Sequence, residues 1–329
     1  MTLRSLPKVE LHLHLEGAAP PDFIRDLARE KKVDLSGIFD ADGGYAFHDF
    51  AHFLKQYDAA CTVLTGPEEF YRLTRAVLAD SAFHGVIYTE AFLSPDFCGG
   101  GDLAAWKDYL AAIAQAASDA ERDDGITMRG IATAVRHHGR DACRKAARVA
   151  AETAGDFLTG FGMAGAELEG RPGDFAYSFD LAREAGLRLT AHAGEWGGPD
   201  MVAETVDALK VSRVGHGINA IRDPDLVKRL AEEGIVLEVC PGSNVVLNAV
   251  SDWRSHPIAM LRDAGVPVTV STDDPPFFHT TMTAEYDALA SHFGWTEEDF
   301  AAVNRTALDA AFCDDATRAR IANRLETTP

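Results

Sequence analysis

Apolar and polar positions along this chain repeat with two periods, and the two take turns. Val9, Leu11, Leu13 and Leu15 alternate with Glu10, His12, His14 and Glu16, the period-two signature of a strand. Pro20-Pro21 then opens a helical pattern through Phe23, Leu27 and Ala28. It ends at Lys31-Lys32, where basic groups suit a helix C-terminus. Residues 33–46 read as loop, with Asp42-Gly43-Gly44 as a turn signal. Helical spacing resumes at Phe50, Phe53, Leu54 and Tyr57, and again at Phe70, Leu73, Val77 and Leu78. An all-helical insertion is therefore expected between the first and second strands.

From there the alternation is regular. Strands are predicted at 85–93, 127–135, 157–163, 187–192, 212–216, 235–240 and 266–272. Helices are predicted between them at 103–121, 139–154, 174–186, 199–208, 223–233 and 256–264, with three more at 281–293, 297–311 and 313–325. Eight apolar strands alternating with helices predict an α/β fold, a (β/α)8 TIM barrel with a helical insertion after strand 1 and extra C-terminal helices. No Gly-x-Gly-x-x-Gly turn follows the first strand, which counts against an open dinucleotide-binding sheet. With no repeat or linker in view, one domain over 1–329 is expected.

Composition narrows the classes. A chain of 329 residues, 47% of them hydrophobic, can bury a large core, and its net charge of −20 argues against nucleic acid or an anionic membrane as partner. The five cysteines are scattered without CxxC spacing, so neither a disulfide framework nor a cysteine zinc site is expected. Met1-Thr2-Leu3-Arg4-Ser5-Leu6-Pro7 shows no apolar leader, and no run reaches the ~18 apolar residues of a membrane span. A cytoplasmic protein is expected; nothing in the pattern specifies an oligomeric state.

The candidate chemistry falls at strand ends, where a barrel gathers its catalytic groups. His12 and His14 share one face of the first strand, about 7 Å apart at ~3.3 Å per residue, and can reach one ion. His192-Ala193-Gly194-Glu195 ends the fifth strand, His216-Gly217 the sixth and Ser271-Thr272-Asp273-Asp274-Pro275 the eighth. Three imidazoles and a carboxylate (His12, His14, His192 and Asp273) suit Zn²⁺ with a position left for water. Glu195, three residues beyond His192, can serve as a general acid/base without being a ligand. His216 can orient or help deprotonate the water, and Asp274 can bond the water or the substrate. The end of the fourth strand carries no lysine to bridge two ions, so one ion is favoured.

Taken together, Leu11-His12-Leu13-His14-Leu15-Glu16-Gly17, His192-Ala193-Gly194-Glu195, Val214-Gly215-His216-Gly217, Cys240-Pro241-Gly242-Ser243-Asn244 and Ser271-Thr272-Asp273-Asp274-Pro275 resemble the adenosine/adenine deaminase family of the amidohydrolase superfamily. The resemblance runs from Leu6 to the C-terminal helices. It implies one Zn²⁺ per chain on His12, His14, His192 and Asp273, and a small purine as partner. It also implies that Glu195 donates a proton to purine N1, and that a hydroxide positioned by His216 and Asp274 attacks C6. The H-x-E…P-C-x-x-C signature of cytidine-type deaminases is absent.

The resemblance leaves the choice of amino-purine open. Gly165 matches a position where a glycine backbone meets purine N3, and His14 borders the substrate; a tight turn alone would also explain Gly165. Adenosine or 2′-deoxyadenosine is the expected substrate on that ground. Against it, Glu16 stands where adenosine enzymes of the family commonly carry Asp, as in many adenine deaminases, and Gly162 and Ala166 replace an acidic pair. Free adenine is the alternative, and a larger aminofutalosine-type nucleoside the third. A hydrolase of another amide bond and a non-catalytic binder remain as readings from other classes. Phe47, Phe50, Phe53, Leu54 and Tyr57 are candidates to wall the pocket or to form plain core, and Trp196 to stack on a base or simply to pack.

Overall fold

A computed structural model describes residues 2–327. The alternation in the first strand, β1 (Lys8–His14), separates two buried faces rather than a wet face from a dry one. Val9 and Leu11 pack under the C-terminal helices with Ala307, Leu308 and Ile321. Glu10, His12 and His14 turn into the barrel. Parallel strands covered on both sides have this double burial. The strand stops at His14, short of the apolar-polar run in the sequence, because Glu16 and Gly17 turn the chain across the barrel mouth.

The insertion follows as α1 (Pro21–Lys31), α2 (Phe50–Cys61) and α3 (Pro67–Phe83). Asp49 starts α2 by accepting the amide of His52 at 2.7 Å. Then come β2 (Val86–Leu93), α4 (Leu103–Asp123), β3 (Thr127–Val135), α5 (Arg140–Ala151), β4 (Leu158–Ala164), α6 (Ala176–Glu184), β5 (Arg188–Ala193) and α7 (Pro199–Glu204). They are followed by β6 (Arg213–His216), α8 (Pro224–Glu233), β7 (Val236–Val239), α9 (Pro241–Val246), α10 (Ile258–Asp263) and β8 (Val268–Val270). Finally α11 (Met282–Phe293), α12 (Glu297–Ala310) and α13 (Asp315–Thr327) close the chain. The six-residue α9 has no period of its own to betray it, and the sequence reading passed over it. The helix expected at 199–208 is continuous, with α7 widening into a π-type turn over Thr205–Leu209.

All eight strands pair in parallel in sequence order. The barrel closes between β8 and β1 through a bridge of Leu13 to Asp273, the amide of His14 donating to Asp273 O and the amide of Asp273 to His12 O. The barrel interior is charged where it meets the closing helices. Arg213 contacts Glu90 at 2.7 Å and Glu238 at 2.5 Å, with its guanidinium 3.5 Å over the Phe312 ring. Among the described residues no helix is long and apolar enough to cross a membrane.

Candidate active site

The strand ends deliver the expected residues to one place. His14, Glu16, Gly165, His192, Glu195, His216, Asp273 and Asp274 line one pocket at the C-terminal ends of the strands, and His12 lies buried beneath it. The insertion walls the opposite side with Phe50, Phe53, Leu54 and Tyr57. Phe47 packs behind them on Phe53 and Phe278, and Trp196 packs against Phe50 with ring centroids 5.2 Å apart.

One donor atom from each of His12, His14, His192 and Asp273 lies within 4.8 Å of the other three. Three of the four donors are aimed by a partner behind them. His12 Nδ1 bonds Glu238 Oε2 at 2.9 Å and His192 Nδ1 bonds the carbonyl of Met163 at 3.0 Å, so both rings present Nε2 to the centre. Ser243 Oγ donates to Asp273 Oδ2 at 2.7 Å, leaving Oδ1 3.3 Å from His12 Nε2 and 3.2 Å from His14 Nε2. His14 Nε2 and His192 Nε2 face each other at 3.2 Å, and His12 Nε2 is buried without a hydrogen-bond partner. Nitrogen lone pairs converging on one carboxylate fit a divalent cation, and a donor set of three imidazoles and one carboxylate suits a borderline ion.

A second chain of bonds fixes His216. The amide of Ile258 donates to His256 Nδ1 at 3.2 Å, and His256 Nε2 then donates to Asn244 Oδ1 at 3.2 Å. Asn244 Nδ2 therefore turns to His216 Nδ1 at 3.1 Å and Glu195 Oε1 at 3.4 Å. With Nδ1 accepting, His216 carries its proton on Nε2, which faces Glu195 Oε2 at 3.8 Å and Asp273 Oδ2 at 3.9 Å. Burial pushes the His216 pKa down to about 3, so the ring stays neutral.

The carboxyls respond to crowding. Burial, then the neighbouring Asp273 and Glu167, hold Glu195 well above the usual carboxylate range. Burial and then Asp273, Glu16 and Glu195 do the same to Asp274, whose Oδ1 has no hydrogen-bond partner. Only a glycine at position 17 leaves room for it, since a Cβ there would fall 1.6 Å from that oxygen. Glu16 accepts from the amide of Ser94 at 3.1 Å and is bonded by Tyr57; burial raises it to about 7. Gly165 has φ +95°, and a Cβ there would lie 2.5 Å from His137 Nδ1, so the turn by itself demands glycine.

Sequence reasoning missed Glu238 and His256, and reached Glu167, Ser243 and Asn244 only as members of longer motifs. Glu238 left a readable sign, a lone carboxylate in the apolar run Val236-Leu237-Glu238-Val239. His256 left none because the connection between β7 and β8 must fold back to bring it to Asn244, and Glu167 left none because its partners lie on another strand end.

A family model described as adenosine deaminase matches residues 7–328. A protein named adenine deaminase from Rhizobium leguminosarum bv. trifolii is 47% identical over 326 residues, covering 99% of this chain and 100% of that one. Among solved structures, adenine deaminase from Arthrobacter aurescens superposes with a TM-score of 0.88 at 30% identity, over 97% of this chain and 98% of that chain. An amidohydrolase from Burkholderia ambifaria with bound zinc does so with a TM-score of 0.86 at 29% identity, over 99% of this chain and 94% of that chain.

Proposed function

Because the chain belongs to the adenosine deaminase family and is a hydrolytic deaminase of the amidohydrolase type, we propose that it converts free adenine and water to hypoxanthine and ammonia. This is the alternative weighed from the sequence rather than its first expectation, the nucleoside. The observation that carries it is full-length similarity, 47% identity over 99% of the chain, to a protein named adenine deaminase. Glu16 adds a physical reason. Free adenine has an N–H on its five-membered ring that a ribose removes, and a buried carboxyl facing the pocket gains from that donor. With a nucleoside, this carboxyl keeps the Ser94 amide, its own amide and Tyr57 but gains no partner from the ligand.

One zinc ion is the cofactor in this reading, held by His12, His14, His192 and Asp273. When bound, it supplies the Lewis acidity that brings the pKa of a water towards 7. Glu195, kept protonated by burial, gives its proton to ring N1 and makes C6 electrophilic. The Nε2–H of neutral His216 and the unpaired Oδ1 of Asp274 orient the attacking water. As its oxygen bonds C6, its proton passes to the Glu195 carboxylate and on to the amino group, and the C6–N bond breaks to release ammonia. The aromatic wall of α2 covers the ring and keeps bulk water from it.

A parallel ultraviolet assay of the zinc-loaded protein with adenine, adenosine and 2′-deoxyadenosine tests the substrate. Turnover of adenine alone is expected. Turnover of the nucleosides with adenine inert would overturn the proposal and restore the first expectation.

A further inference from the structure

Glu195 sits on the segment Gly194–Gly197, between the end of β5 and the start of α7. The amides of this segment converge on one side chain. Glu167, in the connection after β4, is 2% exposed and accepts from Gly194 N at 2.6 Å through Oε1. Its Oε2 accepts from Glu195 N at 3.0 Å and Trp196 N at 2.7 Å. The carbonyls are held from the other side, beyond β6. Asn219 Nδ2 donates to Glu195 O at 2.9 Å and Gly197 O at 3.0 Å, and the Asn219 amide to Gly194 O at 2.8 Å. A Cβ at Gly197 would fall 2.6 Å from Glu167 Oε1, so a glycine there is what lets the segment wrap the carboxylate.

We propose that Glu167, with Asn219 opposite it, is the positioning residue that aims the Glu195 carboxyl at the purine ring. The inference rests on reading Glu195 as the proton donor. Backbone amides bonded to a carboxylate form the stronger, charge-assisted class of hydrogen bond. Three of them on one buried group leave the segment little freedom. Glu167 also follows Gly165 by two residues, and the intervening Ala166 amide is tied to His137 Nδ1 at 3.1 Å. One short connection therefore sets both a wall of the pocket and the acid across it. Glu167→Gln puts an NH2 against at least one of the three amides and removes the charge the others bond to, so the acid moves while the pocket lining keeps its residues.

The test is a double-mutant cycle read as kcat and KM, on adenine or whichever amino-purine the parallel assay turns over, with metal content and melting temperature measured alongside. Glu167→Gln is expected to lower kcat by about 100-fold, the scale of a 1 Å misplacement, with KM changed by less than about threefold. In a Glu195→Gln background the same substitution is expected to change the residual kcat by less than about threefold, since the group it aims is gone. Asn219→Ala is expected to repeat the pattern at smaller size, and it carries the test if Glu167→Gln does not fold. Equal losses of kcat in both backgrounds would make the clamp a general structural support and overturn the proposal. A single variant with wild-type kcat, beside an inactive Glu195→Gln, would overturn it as well. Wild-type kcat in Glu195→Gln would instead sink the proton-donor reading and the clamp with it.

Discussion

The amide of His14 donates to the carbonyl of Asp273 at 3.0 Å, and the side chains of the same two residues meet at Nε2 and Oδ1, 3.2 Å apart. Backbone pairing that closes the barrel between its first and last strands is thus made by residues whose side chains converge on the candidate ion. Closing the fold and assembling the site are one event.

Removing the ion should therefore loosen the seam as well as end catalysis. Chelation is expected to lower the melting temperature, and added Zn²⁺ to restore it. An ion at about 1,000 times its dissociation constant contributes about 4 kcal/mol by linkage. His14→Ala is expected to come through purification without stoichiometric metal, which elemental analysis reads directly. A metal-free protein with the melting temperature of the loaded one would show that the seam does not need the ion.

Glu16→Asp draws the carboxyl back by one methylene from the pocket and from the Ser94 amide. The expected result is a fall in kcat/KM for adenine of about 10- to 100-fold, the scale of one lost hydrogen bond to a charged group. Adenosine should lose less or gain. Steady-state kinetics on both substrates read the ratio, and an unchanged ratio would remove Glu16 from specificity.

Glu285 offers a pH test away from the pocket. Burial raises it from 4.5 to about 7, against the bonds it accepts from Thr280 Oγ1 and the Gly242 amide. Below pH 4.5 both folded and unfolded forms are protonated and the group costs nothing. Between 4.5 and about 7 the unfolded chain ionises first, so stability falls as pH rises, by on the order of 3 kcal/mol. Glu10 and Glu16, also raised to about 7 by burial, add to the same slope. Glu285→Gln should flatten one share of it, which urea melts at pH 5 and pH 8 would show (roughly the two ends of the window). An unaltered slope would mean that Glu285 titrates at its ordinary value.

Arg213 is buried between Glu90 and Glu238, and Glu238 in turn bonds His12. Arg213→Met leaves two buried carboxylates without their cation, at a cost of about 3–5 kcal/mol. Denaturant unfolding of the variant measures the loss, and a change below about 1 kcal/mol would show that water or protonation compensates.

The hydrophobic pattern determined the barrel and the insertion, and the polar residues at its strand ends marked the candidates for the chemistry. A period of two puts His12 and His14 on one face whatever lies around them, and a strand end is legible in one dimension. The fifth, sixth and eighth strands announced His192, His216 and Asp273 in the same way. What the pattern could not hold was who stands behind each group. Glu238 beneath His12, His256 behind Asn244 and Glu167 under the Glu195 segment are joined across 226, 12 and 28 positions. Such partners are chosen by strand register and barrel curvature, which depend on the packing of the whole chain. The same holds for Phe53, whose helical period served core and pocket wall alike until α2 was laid across the barrel mouth. Periodicity says which way a side chain points; only the closed barrel decides what it meets there.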